Sequence, residues 1–90
     1  MNECLICGKT AQHRHHLIFG SNRYLCDADR LIIPVCAECH RKIHDEKGGA
    51  GMKSKQLGQI LFELKQAVMF EQPEEESRER FRKRYGKSFL

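Results

Sequence analysis

No run of apolar residues in this chain approaches the roughly 18 to 20 that a membrane-spanning helix needs, so a bilayer span is excluded and a soluble protein is expected. No signal-peptide-like stretch precedes Cys4, no repeat recurs, and no low-complexity linker divides the chain. At 90 residues there is room for a single domain, 1–90. A domain of that size leaves much of its apolar surface wet unless something besides a core holds it together. Net charge is in short supply too. A value of +4 and a pI near 8.9 are only mildly basic, which favours a polyanionic partner without demanding one.

Cysteine is what the chain has in excess, with five residues. Such a count in a short chain fits either a secreted disulfide scaffold or a metal-chelating one. The spacing favours metal: Cys4-Leu5-Ile6-Cys7 and Cys36-Ala37-Glu38-Cys39 are two Cys-x-x-Cys knuckles about thirty residues apart, the ligand set of a closed tetrahedral zinc. Gly8 after the first knuckle lets backbone amides approach the sulfurs. A structural Zn2+ on Cys4, Cys7, Cys36 and Cys39 is therefore expected to clamp the N-terminus to the start of a helix, in a reducing, cytoplasmic setting. Cys26 stands apart as a buried or loop thiol.

Histidine supplies the second pattern. Gln12 to Phe19 reads as a strand closed by the loop signal Gly20-Ser21-Asn22. Neighbouring strand residues face opposite sides, so His15 and His16 cannot do the same job. A loop from Tyr24 to Arg30 leads to a second strand at Leu31–Val35, with Pro34 marking its end or edge. A helix follows from about Ala37 to Lys47, stopped by Gly48-Gly49-Ala50-Gly51. On it His40 and His44 lie one turn apart, about a quarter turn from the cysteines, so one helix can serve two metals. Three imidazoles, His15, His40 and His44, leave an open coordination position of the kind metal-assisted hydrolysis requires. The competing arrangement, one mixed zinc site with a histidine in place of a cysteine, leaves too many ligands over. His13 fits a supporting or solvent-exposed role better than a ligand's. With zinc on the cysteines and a divalent ion on the imidazoles the net charge stays near its starting value, but its positive part concentrates at the histidines.

Beyond this 4–47 core, Leu57, Ile60, Leu61, Leu64, Ala67 and Val68 repeat at helical spacing, predict an amphipathic helix over 54–71, and require a partner surface. Gln72-Pro73 breaks it. A last helix over 73–85 begins at Glu74-Glu75-Glu76, carries Arg80, Arg82, Lys83 and Arg84 toward its end, and stops at Gly86.

The doubled histidine, the segment His15-His16-Leu17-Ile18-Phe19-Gly20 and the helical Cys39-His40-x-x-x-His44 resemble the HNH endonuclease family, and small phage-type members with Cys-x-x-Cys knuckles most. Residues 4–44 carry the specific likeness. The resemblance implies an α+β fold, a zinc-stapled ββα-metal core with additional C-terminal helices. It also implies a metal-dependent endonuclease that hydrolyses phosphodiester bonds, DNA before RNA, to a 5′ phosphate and a 3′ hydroxyl. Carried over, the family pattern makes His15, His40 and His44 ligands of the catalytic ion and His16 the general base. An imidazole with an ordinary pKa is largely neutral at pH 7 and can take a proton from water. Nitrogen ligands favour zinc, nickel, cobalt or manganese over calcium, and magnesium stays open because water and phosphate fill the remaining positions.

One position departs from the family. Its middle asparagine, which orients the base histidine, corresponds here to Leu31, with Asn22 or Asp29 as substitutes through another loop path. Arg14, Arg23, Arg41 and Lys42, with Lys53 and Lys55, surround the histidines in sequence and are candidates for phosphate contacts. No sequence-reading motif is evident, so weak sequence preference is expected. The rival reading is a zinc-stabilised module that binds nucleic acid or protein without cleavage, such as a phage regulator or assembly factor.

Overall fold

A computed structural model of the chain describes residues 3–45, 48–71 and 73–90. It is α+β: a two-stranded sheet and four helices, in the order β1 (His13–His16), α1 (Arg23–Asp29), β2 (Ile32–Val35), α2 (Ala37–Ile43), α3 (Ala50–Phe70) and α4 (Glu74–Tyr85). No helix among the described residues is long and apolar enough to cross a membrane.

The strands pair antiparallel, His13 with Val35, Arg14 with Pro34, His15 with Ile33 and His16 with Ile32. Strand alternation buries His15 and leaves His16 at the rim. Pro34 has no N–H to donate, and its carbonyl accepts the Leu5 N–H at 2.9 Å, which lays the first knuckle beside β2. The knuckle closes through the Gly8 N–H on the Cys4 carbonyl at 2.9 Å, with Gly8 at φ +81°, where a side chain would be strained. The strand expected as far as Phe19 ends at His16: Leu17 still donates to the Leu31 carbonyl at 2.9 Å, but the Leu31 N–H turns to the Cys26 carbonyl, and Leu17 and Ile18 are buried in the core.

The segment expected to be a loop from Tyr24 to Arg30 is mostly taken up by the seven-residue helix α1, which starts one residue earlier at Arg23. It is short and has no apolar period, so tertiary contacts hold it. The Cys26 thiol is fully buried and donates to the Ile18 carbonyl at 3.1 Å. Burial raises its pKa, so it is an inert core thiol. Asp29 Oδ2 accepts from the Tyr85 hydroxyl at 2.6 Å and from Arg84 Nε at 2.7 Å, tying α1 to α4. Burial and the neighbouring Asp29 carboxylate push the Tyr85 phenol far above its ordinary pKa, so it stays a donor.

Helix α2 ends at Ile43 with His44 as its cap, whereas the expected end at Lys47 lies outside the described residues. The glycine run, expected to stop α2, comes after the helix has already ended at its His44 cap; it leads instead into α3, which begins at Ala50 with Gly49 as its N-cap. Gln72, half of the expected break after α3, lies outside the described residues; α4 follows with Pro73 as its N-cap, acidic residues in its first turn and basic ones in its last.

Helix α3 packs against α2 and α4, but with an unexpected face. It buries Ser54, Gly58, Gln59, Phe62 and Glu63, and exposes Leu57, Ile60, Leu64 and Val68. Two local features explain the choice. A Cβ on Gly58 would stand 2.8 Å from Ile18 Cγ1 and 3.1 Å from Leu17 Cβ, so glycine alone permits this approach. Buried Gln59 and Glu63 are also satisfied: Gln59 Nε2 donates to Glu63 Oε2 (2.7 Å) and Ser88 Oγ (2.9 Å), and Gln59 Oε1 accepts the Phe89 N–H (2.6 Å). Phe62, Phe81 and Tyr85 complete the core, with Phe81 stacked on Tyr85 at 4.6 Å and Phe62 edge-on to both.

Candidate metal centre

Two groups of metal-ligating side chains converge at opposite ends of α2. Cys36 is its N-cap, and its sulfur accepts the Cys39 N–H at 3.4 Å. The first knuckle brings Cys4 and Cys7 to the same place, and donor atoms of all four cysteines lie within 4.8 Å of one another. Cys7 Sγ and Cys36 Sγ are 3.7 Å apart. A tetrahedral zinc with bonds near 2.3 Å sets its sulfurs about 3.8 Å apart, so this pair already has the required spacing. The thiols are free, not disulfide-bonded. Burial pushes the Cys4 thiol up, but hydrogen bonds from the backbone of Cys7, Cys36 and Ile6 outweigh it and bring the pKa to about 6. Cys39, hydrogen-bonded to the Cys36 sulfur and buried, is pushed up to about 12. The two shifts run in opposite directions, the response of packed sulfurs that cannot all ionise without a cation. This four-cysteine cluster could hold a zinc ion.

At the other end of α2 stand His40, within the helix, and His44, its C-cap. Their Nε2 atoms are 3.2 Å apart. His15 reaches them from β1, with ring centroids 5.1 Å from His40 and 5.3 Å from His44, and the three histidines offer donor atoms within 4.8 Å of one another. Proton inventory fixes the tautomer of His15. Ser54 Oγ donates its one hydrogen to the Leu17 carbonyl at 2.7 Å, so at 2.8 Å it must accept from His15 Nε2. His15 Nδ1 therefore carries a lone pair, and it is buried with no hydrogen-bond partner among the described residues. Burial, then the neighbouring His40, His44 and His16, lower the His15 pKa to about 4. Burial and the other histidines lower that of His40 as well. At pH 7 His15 is neutral, the form in which an imidazole binds metal. His13 is not in the cluster; its Nδ1 lies 2.8 Å from His40 Nδ1, where it orients that ring.

His16, on the alternate face of β1, lines the same cavity of about 290 Å³ as His15, His40 and His44. Its Nε2 lies 2.9 Å from Asp27 Oδ1. A carboxylate accepts, so His16 holds a proton on Nε2, which in the neutral ring leaves the lone pair on Nδ1. The expected substitutes for the missing asparagine are elsewhere: Asn22 donates to the Tyr85 carbonyl and Asp29 anchors α4. Leu31 is fully buried in the core, where its carbonyl accepts the Leu17 N–H.

Of the basic candidates, Arg14 and Arg23 line the histidine cavity. Arg41 and Lys42 do not; both are exposed on α2, and Lys42 pairs with Glu38 at 3.5 Å. Lys55 lies over the Phe19 ring at 4.7 Å, and that ring packs edge-on against His44 at 4.6 Å. Lys53 borders an apolar groove with Leu5, Ile6 and Leu57. Sequence reasoning missed Asp27 and Ser54. Asp27 rides on a helix with no apolar period, and Ser54 read as a helix start when it is the buried support of His15.

No curated protein and no solved structure matches the chain. Residues 1–70, which include every ligand of both clusters and all of α3, match the family described as protein of unknown function (DUF968), and the chain belongs to that family.

Proposed function

We propose that this protein is a metal-dependent endonuclease of the HNH type, hydrolysing phosphodiester bonds in DNA. The observation that carries the reading is the lone pair of His15 Nδ1. It is buried, neutral and without a partner, in one cluster with two Nε2 atoms whose 3.2 Å separation matches the roughly 3.3 Å between nitrogens on a tetrahedral ion. His15, His40 and His44 would hold the ion, a divalent metal such as Mg2+, Mn2+, Ni2+ or Zn2+. When bound it supplies Lewis acidity at the phosphate and stabilises the leaving 3′ oxygen. His16 acts as general base: Asp27 holds its Nε2 proton and orients the ring, so Nδ1 takes the proton of the attacking water. Arg14 and Arg23, at the rim of the same cavity, hold the phosphates on either side. The cysteine zinc is structural, fixing the N-terminus of α2 while the histidines use its C-terminus.

The rival reading, a binding module without cleavage, draws on Leu31 where the HNH family has asparagine. Asp27 answers it, because its carboxylate, carried on α1, orients the His16 ring in place of that amide. A plasmid-nicking assay with each of the four ions, repeated with His16→Ala, separates the two. The nuclease reading predicts metal-dependent nicking that falls by about 10² or more in the variant. Nucleic-acid binding with no cleavage under any ion contradicts it.

A further inference from the structure

The outward face of α3 has no role in either metal cluster or in the core. Lys53, Leu57, Ile60, Leu64 and Ala67 follow one another at steps of four, three, four and three, the seam of a coiled coil, and Glu71, the C-cap just past the last helical residue, stands four further on. Leu57, Ile60 and Leu64 are 38%, 48% and 56% exposed, on roughly the opposite side of α3 from its buried Gly58, Phe62 and Glu63. A contiguous apolar stripe of this kind marks an interaction site. It also continues onto the first knuckle, since Leu5 and Ile6, both exposed, share a groove with Leu57.

We infer that this face is a homodimer interface, in which α3 packs antiparallel on α3 of a second copy of this chain across a two-fold axis at the level of Phe62. The stripe reads nearly the same in both directions, apolar at its centre with opposite charges at its ends about 27 Å apart. Turned antiparallel about residue 62, Ile60 meets Leu64, Leu57 meets Ala67, and Lys53 meets Glu71 of the other copy. A two-fold interface makes each of these contacts twice. A parallel pairing would instead set lysine on lysine and glutamate on glutamate. Neither Lys53 nor Glu71 forms an ion pair among the described residues, and both are exposed, so each is available to the other copy. Leu5 and Ile6, beside Leu57, then cover the Ala67–Val68 end of the facing helix.

Sedimentation equilibrium on the full chain over a range of concentrations tests this. A monomer–dimer equilibrium is expected. Leu64→Glu, at an exposed position that leaves the fold intact by circular dichroism, should weaken dimerisation by about 10² or more. Lys53→Glu and Glu71→Lys should each weaken it by about three- to ten-fold, and the double variant should recover the wild-type constant. A monomer at every concentration overturns the inference, as does a dimer indifferent to Leu64→Glu. Failure of the double variant to recover overturns the antiparallel register.

Discussion

His15 shows how much one side chain is asked to do. It sits on the inward face of β1, is buried and neutral, and has one nitrogen committed to Ser54 and the other open. Ser54→Ala removes the acceptor for Nε2 and leaves the Leu17 carbonyl unsatisfied. It should cost about 1–3 kcal/mol in denaturant melts and weaken metal binding at the histidines about 10- to 100-fold by titration calorimetry. Acid should act through the same residue. The His15 pKa is about 4 in the folded chain and returns to about 6.5 when unfolded. Between those values the unfolded chain binds a proton that the folded chain refuses, so stability falls as pH drops from about 6.5 to about 4 and its share levels off below. Denaturation of the wild type and of His15→Asn across that window isolates the effect: the wild type should lose stability more steeply. Equal slopes would mean that His15 carries no depressed pKa.

The behaviour of α3 is decided by close approach, not by amphipathicity. Gly58 brings the helix against Leu17 and Ile18, and its polar neighbours Gln59 and Glu63 are then buried against the C-terminal segment. Gly58→Ala gains helix propensity but drives a methyl into Ile18. The second effect is larger, and a net loss of about 1–3 kcal/mol is expected in thermal or denaturant unfolding. A neutral or stabilising outcome would show that Ile18 gives way. The same element marks the limit of what the sequence discloses. The period of Leu57, Ile60, Leu64 and Val68 announces the helix and its demand for an apolar partner. It does not say whether that partner lies within the chain, because Gly58 acts through a residue forty positions earlier. Helix α1 escapes reading for a related reason, since its order comes from Cys26 on Ile18 and Asp29 on Tyr85. The knuckles and the His40–His44 step were legible because their geometry is local, set by a turn and by the pitch of one helix. His15 joins them through strand alternation and the register of two short strands. Asp27 and Ser54, brought in by tertiary contacts alone, leave no local trace.

At the scale of the whole molecule, α2 separates the two clusters, cysteines at its N-terminus and histidines at its C-terminus. In a domain this small, zinc on the cysteines would supply folding free energy that the aromatic core under α4 does not. Metal on the proposed histidine site would lie at the surface of an already folded hairpin and helix, so its removal should spare the structure. The measurement that tests this division most directly is metal content per chain by mass spectrometry, read beside the unfolding midpoint, for the wild type, Cys4→Ser and His44→Ala after equilibration with zinc. Two ions per wild-type chain are expected, with one in folded, little-destabilised His44→Ala, and a midpoint lowered by several kcal/mol of stability in Cys4→Ser. A single ion in the wild type, or the same loss of metal and stability in both variants, would contradict two independent centres.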